Sequence, residues 1–331
     1  MASMINLWIT GVLREILDRE NVNEVMINSP HNVFIETNGV MDSYDDTTNA
    51  FTLRYLQEIA SLTANETKQS INKNSPILSA TFPSGERIQV VMPPACAPEQ
   101  FVISIRKPSV HNYTLDDYVK MGFFDSVNKA IVKNGINEHD EKLSFYEERE
   151  DWPNYMREAV AGKKNIIISG GTGSGKTTFT NMLLNLINPD ERLISLEDAR
   201  EVLKGDQYLK RNIVNLLTSQ AAKGKDPVTF SELIKACLRL RPDRILLSEL
   251  RGSEAFDFLN AINTGHNGSI TSLHANSAKS VYDRLVTMIN MSESGRGLNK
   301  SDIYDYCKSS IDIIMQCEKC NGVWRMVNVL K

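Results

Sequence analysis

The chain has 331 residues, 41% hydrophobic and 24% charged, with 37 Lys plus Arg against 41 Asp plus Glu and a formal net charge of -4. That is the balance of a globular chain long enough for two domains, and it excludes bulk basicity as a means of attachment to nucleic acid or anionic lipid. No apolar run approaches the roughly 18 residues that span a bilayer. Arg14 follows rather than precedes the first apolar residues, and the five scattered cysteines, Cys96, Cys237, Cys307, Cys317 and Cys320, read as reduced thiols, so a cytoplasmic chain is expected.

Residues 1–125 alternate short strands and helices and predict a smaller, mixed α+β N-terminal domain. Leu7, Trp8, Val12, Ile16 and Leu17 recur at helical spacing and suit packing or an oligomer contact better than a membrane. Val25 to Ile27 and Val33 to Ile35 predict a strand pair across Asn28-Ser29-Pro30-His31-Asn32, and Phe51 to Leu62 predicts a helix. Arg87 to Met92 and Phe101 to Arg106 predict two further strands. Residues 126–152 are acidic and weakly periodic and read as a linker.

Residues 153–331 predict an α/β domain with a mostly parallel sheet covered on both faces. Asn165 to Ser169 is a short apolar strand. Phe179, Met182, Leu183, Leu186 and Ile187 then mark one helix face, which Pro189 ends. Leu193 to Leu196 predicts the next strand. Thr229-Phe230-Ser231-Glu232 has the spacing of a capping box, Ile245 to Leu247 is a buried strand, Ser253 to about Asn263 a helix, and Ser269 to Leu273 a strand. Ile311 to Gln316 and Val323 to Val329 flank Asn321-Gly322, a hairpin turn dipeptide.

Between the first strand and helix of this domain lies Gly170-Gly171-Thr172-Gly173-Ser174-Gly175-Lys176-Thr177-Thr178, which matches G-x-x-x-x-G-K-[ST]. Glycines let consecutive amides point at one anion, and the helix N-terminus adds its positive end. Lys176 is placed for the outer phosphates of ATP and the Thr177 hydroxyl for Mg²⁺. Hydrolysis also needs acids. In an open parallel sheet, ligands sit at the carboxyl ends of strands, so Glu249 is assigned to orienting the attacking water. Glu197 and Asp198 are assigned to metal and water organisation. Glu201 is as well explained by solvation. Two histidine segments, Thr264-Gly265-His266-Asn267-Gly268 and Leu273-His274-Ala275-Asn276, bracket one strand, and His266 and His274 are candidates for sensing the terminal phosphate or its metal.

These motifs carry a resemblance. The run from Leu238 to Ala255 resembles the Walker B region of bacterial secretion ATPases, the two histidine segments resemble that family's histidine box, and Ile194 to Glu201 resembles its aspartate box. With the phosphate loop, four motifs stand in the family's order, and the branch that the chain resembles most is the type IV secretion (conjugation) ATPase. The resemblance implies a RecA-like ATPase domain, ATP and Mg²⁺ as cofactors, a homohexameric ring, and work in pilus building and substrate transfer. It also implies inner-membrane secretion-channel and coupling proteins as partners, peripheral attachment at the inner membrane, and no sequence-specific nucleic-acid binding. Gly85-Glu86-Arg87-Ile88 and Ser104-Ile105-Arg106-Lys107-Pro108 resemble the segments whose arginines approach the phosphates, so that role is carried to Arg87 and Arg106. Arg239, Arg241 and Arg251 are candidate ring contacts. Ser248 departs from the family pattern, which has Gly before the Walker B glutamate. Still open are a pilus-retraction or type II motor, a nucleic-acid-translocating ring and a nucleotide-gated scaffold without hydrolysis.

Two motifs are set aside. Asn299-Lys300-Ser301-Asp302 matches the guanine-reading N-K-x-D but follows a polar loop, with no D-x-x-G in the chain. Cys317-Glu318-Lys319-Cys320 lacks the further ligands that structural zinc requires.

Overall fold

The structure is a computed structural model that describes residues 11–82, 85–108, 115–120, 138–202, 208, 211–218 and 228–331. Leu7 and Trp8 lie outside the described residues. Helix α1 (Val12–Leu17) leads into strands β1 (Val22–Ser29), β2 (Asn32–Thr37) and β3 (Val40–Tyr44). Helix α2 (Leu53–Glu66) follows, then β4 (Ile77–Thr81), β5 (Arg87–Val91), β6 (Val102–Arg106) and the short α3 (Leu115–Lys120). The strands form one antiparallel sheet in the order β3-β2-β1-β6-β5-β4. The expected strand pair is present, with Val25 opposite Ile35 and Ile27 opposite Val33.

Strand alternation gives this sheet two unlike faces. Val25, Ile27, Ile88, Val90, Ile103 and Ile105 pack with Leu13, Ile16, Leu56 and Ile59 of the two helices. Helix α2 starts at Thr52, whose side chain accepts from the Tyr55 amide. The alternate positions carry Glu24, Asn28, Gln89 and Ser104, all buried.

Helices α4 (Glu138–Glu148) and α5 (Trp152–Ala161) open the second half. The stretch expected to be linker thus contains a helix: α4 buries Leu143 against Tyr155 and Met156 and pairs His139 with Glu158. One buried apolar side chain is too weak a periodic signal to read, and tertiary contact supplies the rest.

Then come β7 (Ile166–Gly170), α6 (Lys176–Leu184), β8 (Leu193–Glu197), β9 (Ile213–Leu217), α7 (Phe230–Cys237), β10 (Arg244–Leu250) and α8 (Glu254–Ile262). The chain finishes with β11 (Ile270–Leu273), α9 (Ser280–Met291), α10 (Lys300–Ser310), β12 (Ile313–Cys320) and β13 (Val323–Leu330). Sheet order is β13-β12-β7-β11-β10-β8-β9, parallel throughout except for the β12–β13 hairpin. Ile167, Ile194, Ile245 and Leu247 face α7, α8 and α9, whereas Ile166, Ile168, Leu193 and Leu246 face α5 and α6. The capping box at α7 forms: the Thr229 hydroxyl accepts from the Glu232 amide, and Glu232 accepts from the Thr229 amide. The N-K-x-D motif is a helix cap, since the Asn299 side chain accepts from the Ser301 amide at the start of α10.

The two sheets are joined by backbone and by buried charge. The segment after β5 extends the second sheet at β9, with Leu217 N donating to Ala95 O and Ala97 N to Asn215 O. The fully buried Arg192 donates to the Leu240 carbonyl at 2.8 Å, to Asn28 Oδ1 on β1 at 2.7 Å, and to Asn212. Burial pulls the Arg192 guanidinium down to about 10, against the opposing charge of Glu24. Arg241 ion-pairs with Glu36 of β2 within the chain.

Candidate functional site: the phosphate loop and its facing acids

The parallel strands deliver their carboxyl ends to one edge, and a cleft of about 470 Å³ opens there. It is lined by Thr172 to Thr178, Asp198, Glu201, Ser248, Glu249, Arg251, His274 and Trp324, among others. The loop's glycines have specific reasons. Gly175 has φ 85°, a left-handed conformation immediately before α6. At Gly170 a Cβ would run into the Cys317 carbonyl of β12 and the Ser174 hydroxyl, so only glycine fits where the loop leaves β7.

Lys176 is drawn back over the loop. Its Nζ donates to Gly170 O at 2.9 Å and Gly171 O at 3.0 Å, and lies 3.3 Å from His274 Nδ1. Burial lowers its pKa while the Glu249 charge raises it. An ammonium only donates, so His274 Nδ1 presents its lone pair and the proton of the neutral ring sits on Nε2. That atom lies 3.0 Å from Glu249 Oε1, which accepts no well-directed hydrogen bond. The other oxygen of Glu249 accepts from Arg251 Nε at 2.9 Å. Arg251 continues to Asp198 Oδ2 at 2.6 Å, and its pKa is raised, first by the Glu249 hydrogen bond. Within the chain, Arg251 bridges two cleft acids. Ser248 keeps the strand end intact, its carbonyl accepting from the Ser272 hydroxyl at 2.7 Å.

Four residues singled out by the sequence do not line this cleft. Glu197 is fully buried and does not line the cleft: it accepts from the Ser195 hydroxyl at 2.7 Å and from the Glu201 and Val202 amides at 2.6 and 2.9 Å. Burial pushes its pKa up despite these donors. The carboxylate oxygen near the Thr177 hydroxyl is instead Glu201 Oε2, 3.5 Å from Thr177 Oγ1. Glu197 thus holds the backbone that carries Glu201, which the sequence reading had weighed as a solvated acid. His266 precedes β11 and belongs to its amino end, opposite the cleft, where its Nδ1 donates to Ala261 O at 3.1 Å. Arg87 and Arg106 face one another across β5 and β6, both exposed, and neither lines the cleft. Trp324 is a cleft residue that the sequence reading missed. Its one signal was its place just beyond the Asn321-Gly322 turn of the hairpin.

Fold, loop and facing carboxylates together define a phosphate-loop nucleotide-binding protein, and the comparisons with known proteins agree. Residues 10–323 match the family described as Type II/IV secretion system protein. The chain is 36% identical over 323 residues to the type IV secretion system protein VirB11 of Bartonella henselae, covering 95% of this chain and 89% of that protein. It is 37% identical over 313 residues to VirB11 of Brucella suis biovar 1, covering 94% and 84%. The crystal structure of the VirB11 ATPase from the Brucella suis type IV secretion system in complex with sulphate matches with a TM-score of 0.90 at 35% identity, covering 99% of this chain and 94% of that one. The chain belongs to the type II/IV secretion system protein family. Among the described residues no helix is long and apolar enough to cross a membrane, and no cluster of three or more His, Cys, Asp or Glu could hold a metal by itself.

Proposed function

We propose that this chain hydrolyses ATP to power a bacterial type IV secretion or conjugation machine, working as a homohexameric ring beside inner-membrane channel and coupling proteins. The observation that carries the reading is the convergence of Lys176, His274 and Glu249, within 3.3 Å of one another in sequence of contact, on the open side of the phosphate loop. Loop amides and the start of α6 take the phosphates. Lys176 exchanges its two loop carbonyls for phosphate oxygens. Glu249 accepts a hydrogen bond from the attacking water through Oε1, the oxygen that Arg251 does not hold. His274 Nε2–H reports the state of that carboxylate, and Arg251 holds its second oxygen still. Magnesium takes oxygen donors and usually keeps only one or two from protein, which fits the Thr177 hydroxyl with Glu201 and Asp198 around it. When bound, it would neutralise the charge of the outer phosphates.

In this reading residues 1–125 form one domain and 153–331 the other, with Arg87 and Arg106 reaching the phosphates in the assembled ring. Like charges directly across two strands repel, so this exposed pair is predisposed to an anion. The test is Glu249→Gln. Turnover should fall by about 100-fold or more, the scale of a lost acid–base group, with MgATP affinity within a few-fold of wild type. Near-normal turnover in the assembled ring overturns the role.

A further inference from the structure

The strand order gives the cleft a direction. Glu249 and His274 belong to β10 and to the end of β11, on one side of β7, whereas β12 and β13 lie on the other. A nucleotide laid along the loop with its terminal phosphate toward Glu249 has its other end on the side of the β12–β13 hairpin. A large aromatic waits there. Trp324, the second residue of β13, lines the cleft with 64% of its surface exposed and belongs to none of the three apolar cores.

The indole is oriented, not merely exposed. Its Nε1 donates to Gly173 O at 3.1 Å, within the phosphate loop. Its five-membered ring closes on Gly175, where a Cβ would come within 3.1 Å of Cδ1 and 3.3 Å of Cγ. The Lys319 ammonium, 5.5 Å from the ring centroid, is exposed. The hairpin turn, with Asn321 at φ 50° and Gly322 at φ 82°, returns the chain so that Trp324 pairs with Lys319. An exposed tryptophan tied by its edge to a phosphate-binding loop has no packing role to explain it.

We propose that Trp324 is the base-positioning residue of the cleft, its indole the platform on which the nucleobase of the bound nucleotide stacks. The proposal rests on the nucleotide reading above and adds the base end to it. Stacking reads an aromatic face rather than a hydrogen-bond pattern, so the platform serves ATP and GTP alike and leaves purine choice to other groups.

Calorimetry with two probes separates platform from scaffold: MgATP, and magnesium tripolyphosphate, which has the phosphates without a base. Trp324→Ala should weaken MgATP about tenfold, the scale of one base–aromatic stack, and leave tripolyphosphate within twofold. Trp324→Phe should restore most of the ATP affinity. The proposal is overturned if Trp324→Ala binds MgATP as wild type does, or if tripolyphosphate weakens in parallel, which is what loss of support for the loop would produce. Lys176→Ala must weaken both probes. If it weakens neither, the nucleotide reading falls and the platform falls with it.

Discussion

The two sheets use the same strand alternation and reach opposite ends. In the second sheet every strand but the last runs one way, so β7, β8, β10 and β11 deliver the phosphate loop, Asp198, Glu249 and His274 to a single edge. In the first sheet neighbours run in opposite directions, so strand ends are scattered over both edges. The start of β5 therefore meets the end of β6, and Arg87 lies opposite Arg106, away from that edge. Direction of strands, more than identity of residues, decides where chemistry collects. His266 makes the same point within one strand: it precedes β11, on the amino side, whereas His274 directly follows it on the carboxyl side.

If that contrast is right, damage at the carboxyl edge should abolish function and damage elsewhere should mostly cost stability. The largest effect is expected from Lys176→Ala, which should weaken MgATP by roughly 100-fold or more, the loss of a charge-assisted phosphate contact in a part-buried site; calorimetry giving unchanged affinity would break the contrast outright. At the junction of the sheets, Arg192→Met leaves Asn28 Oδ1 and the Leu240 carbonyl without this donor, takes one of the two donors from Asn212 Oδ1, and removes from Glu24 the strongest of the three opposing charges around it. Breaking such a buried arrangement costs about 3 kcal/mol, measurable by urea unfolding, and a change below about 0.5 kcal/mol would mean that the junction is not holding the sheets. His274→Ala and His266→Ala sharpen the contrast within one strand: turnover should fall about tenfold for the first and stay within twofold for the second, and equal losses would erase the distinction between the two edges.

The smallest effect is a slope. Burial raises the folded pKa of Glu197 above its ordinary value. A raised carboxyl stabilises the fold fully below the unfolded pKa, and that contribution is lost as pH rises through the folded value. Unfolding free energies measured from the ordinary carboxylate range upward should therefore decline less steeply with pH in Glu197→Gln than in wild type. Parallel slopes would show that Glu197 is not strained by its burial.

Much of this was legible beforehand. The phosphate loop, the helix after it and the capping box at Thr229 are local, and local chemistry can be read from spacing. Glu249 was legible because a buried apolar strand, Ile245 to Leu247, announces where its end must be. Glu197 was misplaced for a related reason: it too ends a strand, but its side chain turns inward to the amides of residues 201 and 202, and only the loop's return path decides that. The same return brings Glu201 to Thr177. Trp324 stands about 150 residues from the loop it touches, in a hairpin whose position depends on β12 pairing with β7. No local pattern encodes that pairing. Helix α4 was hidden because its stability comes from α5, not from its own acidic face.

The most direct measurement is a crystal structure of the chain with a non-hydrolysable ATP analogue and Mg²⁺. The account predicts phosphates on the amides of residues 173–178, the terminal phosphate toward Glu249 and His274, and the base on the β12–β13 side. An empty loop, or a terminal phosphate lying on the hairpin side, would contradict it.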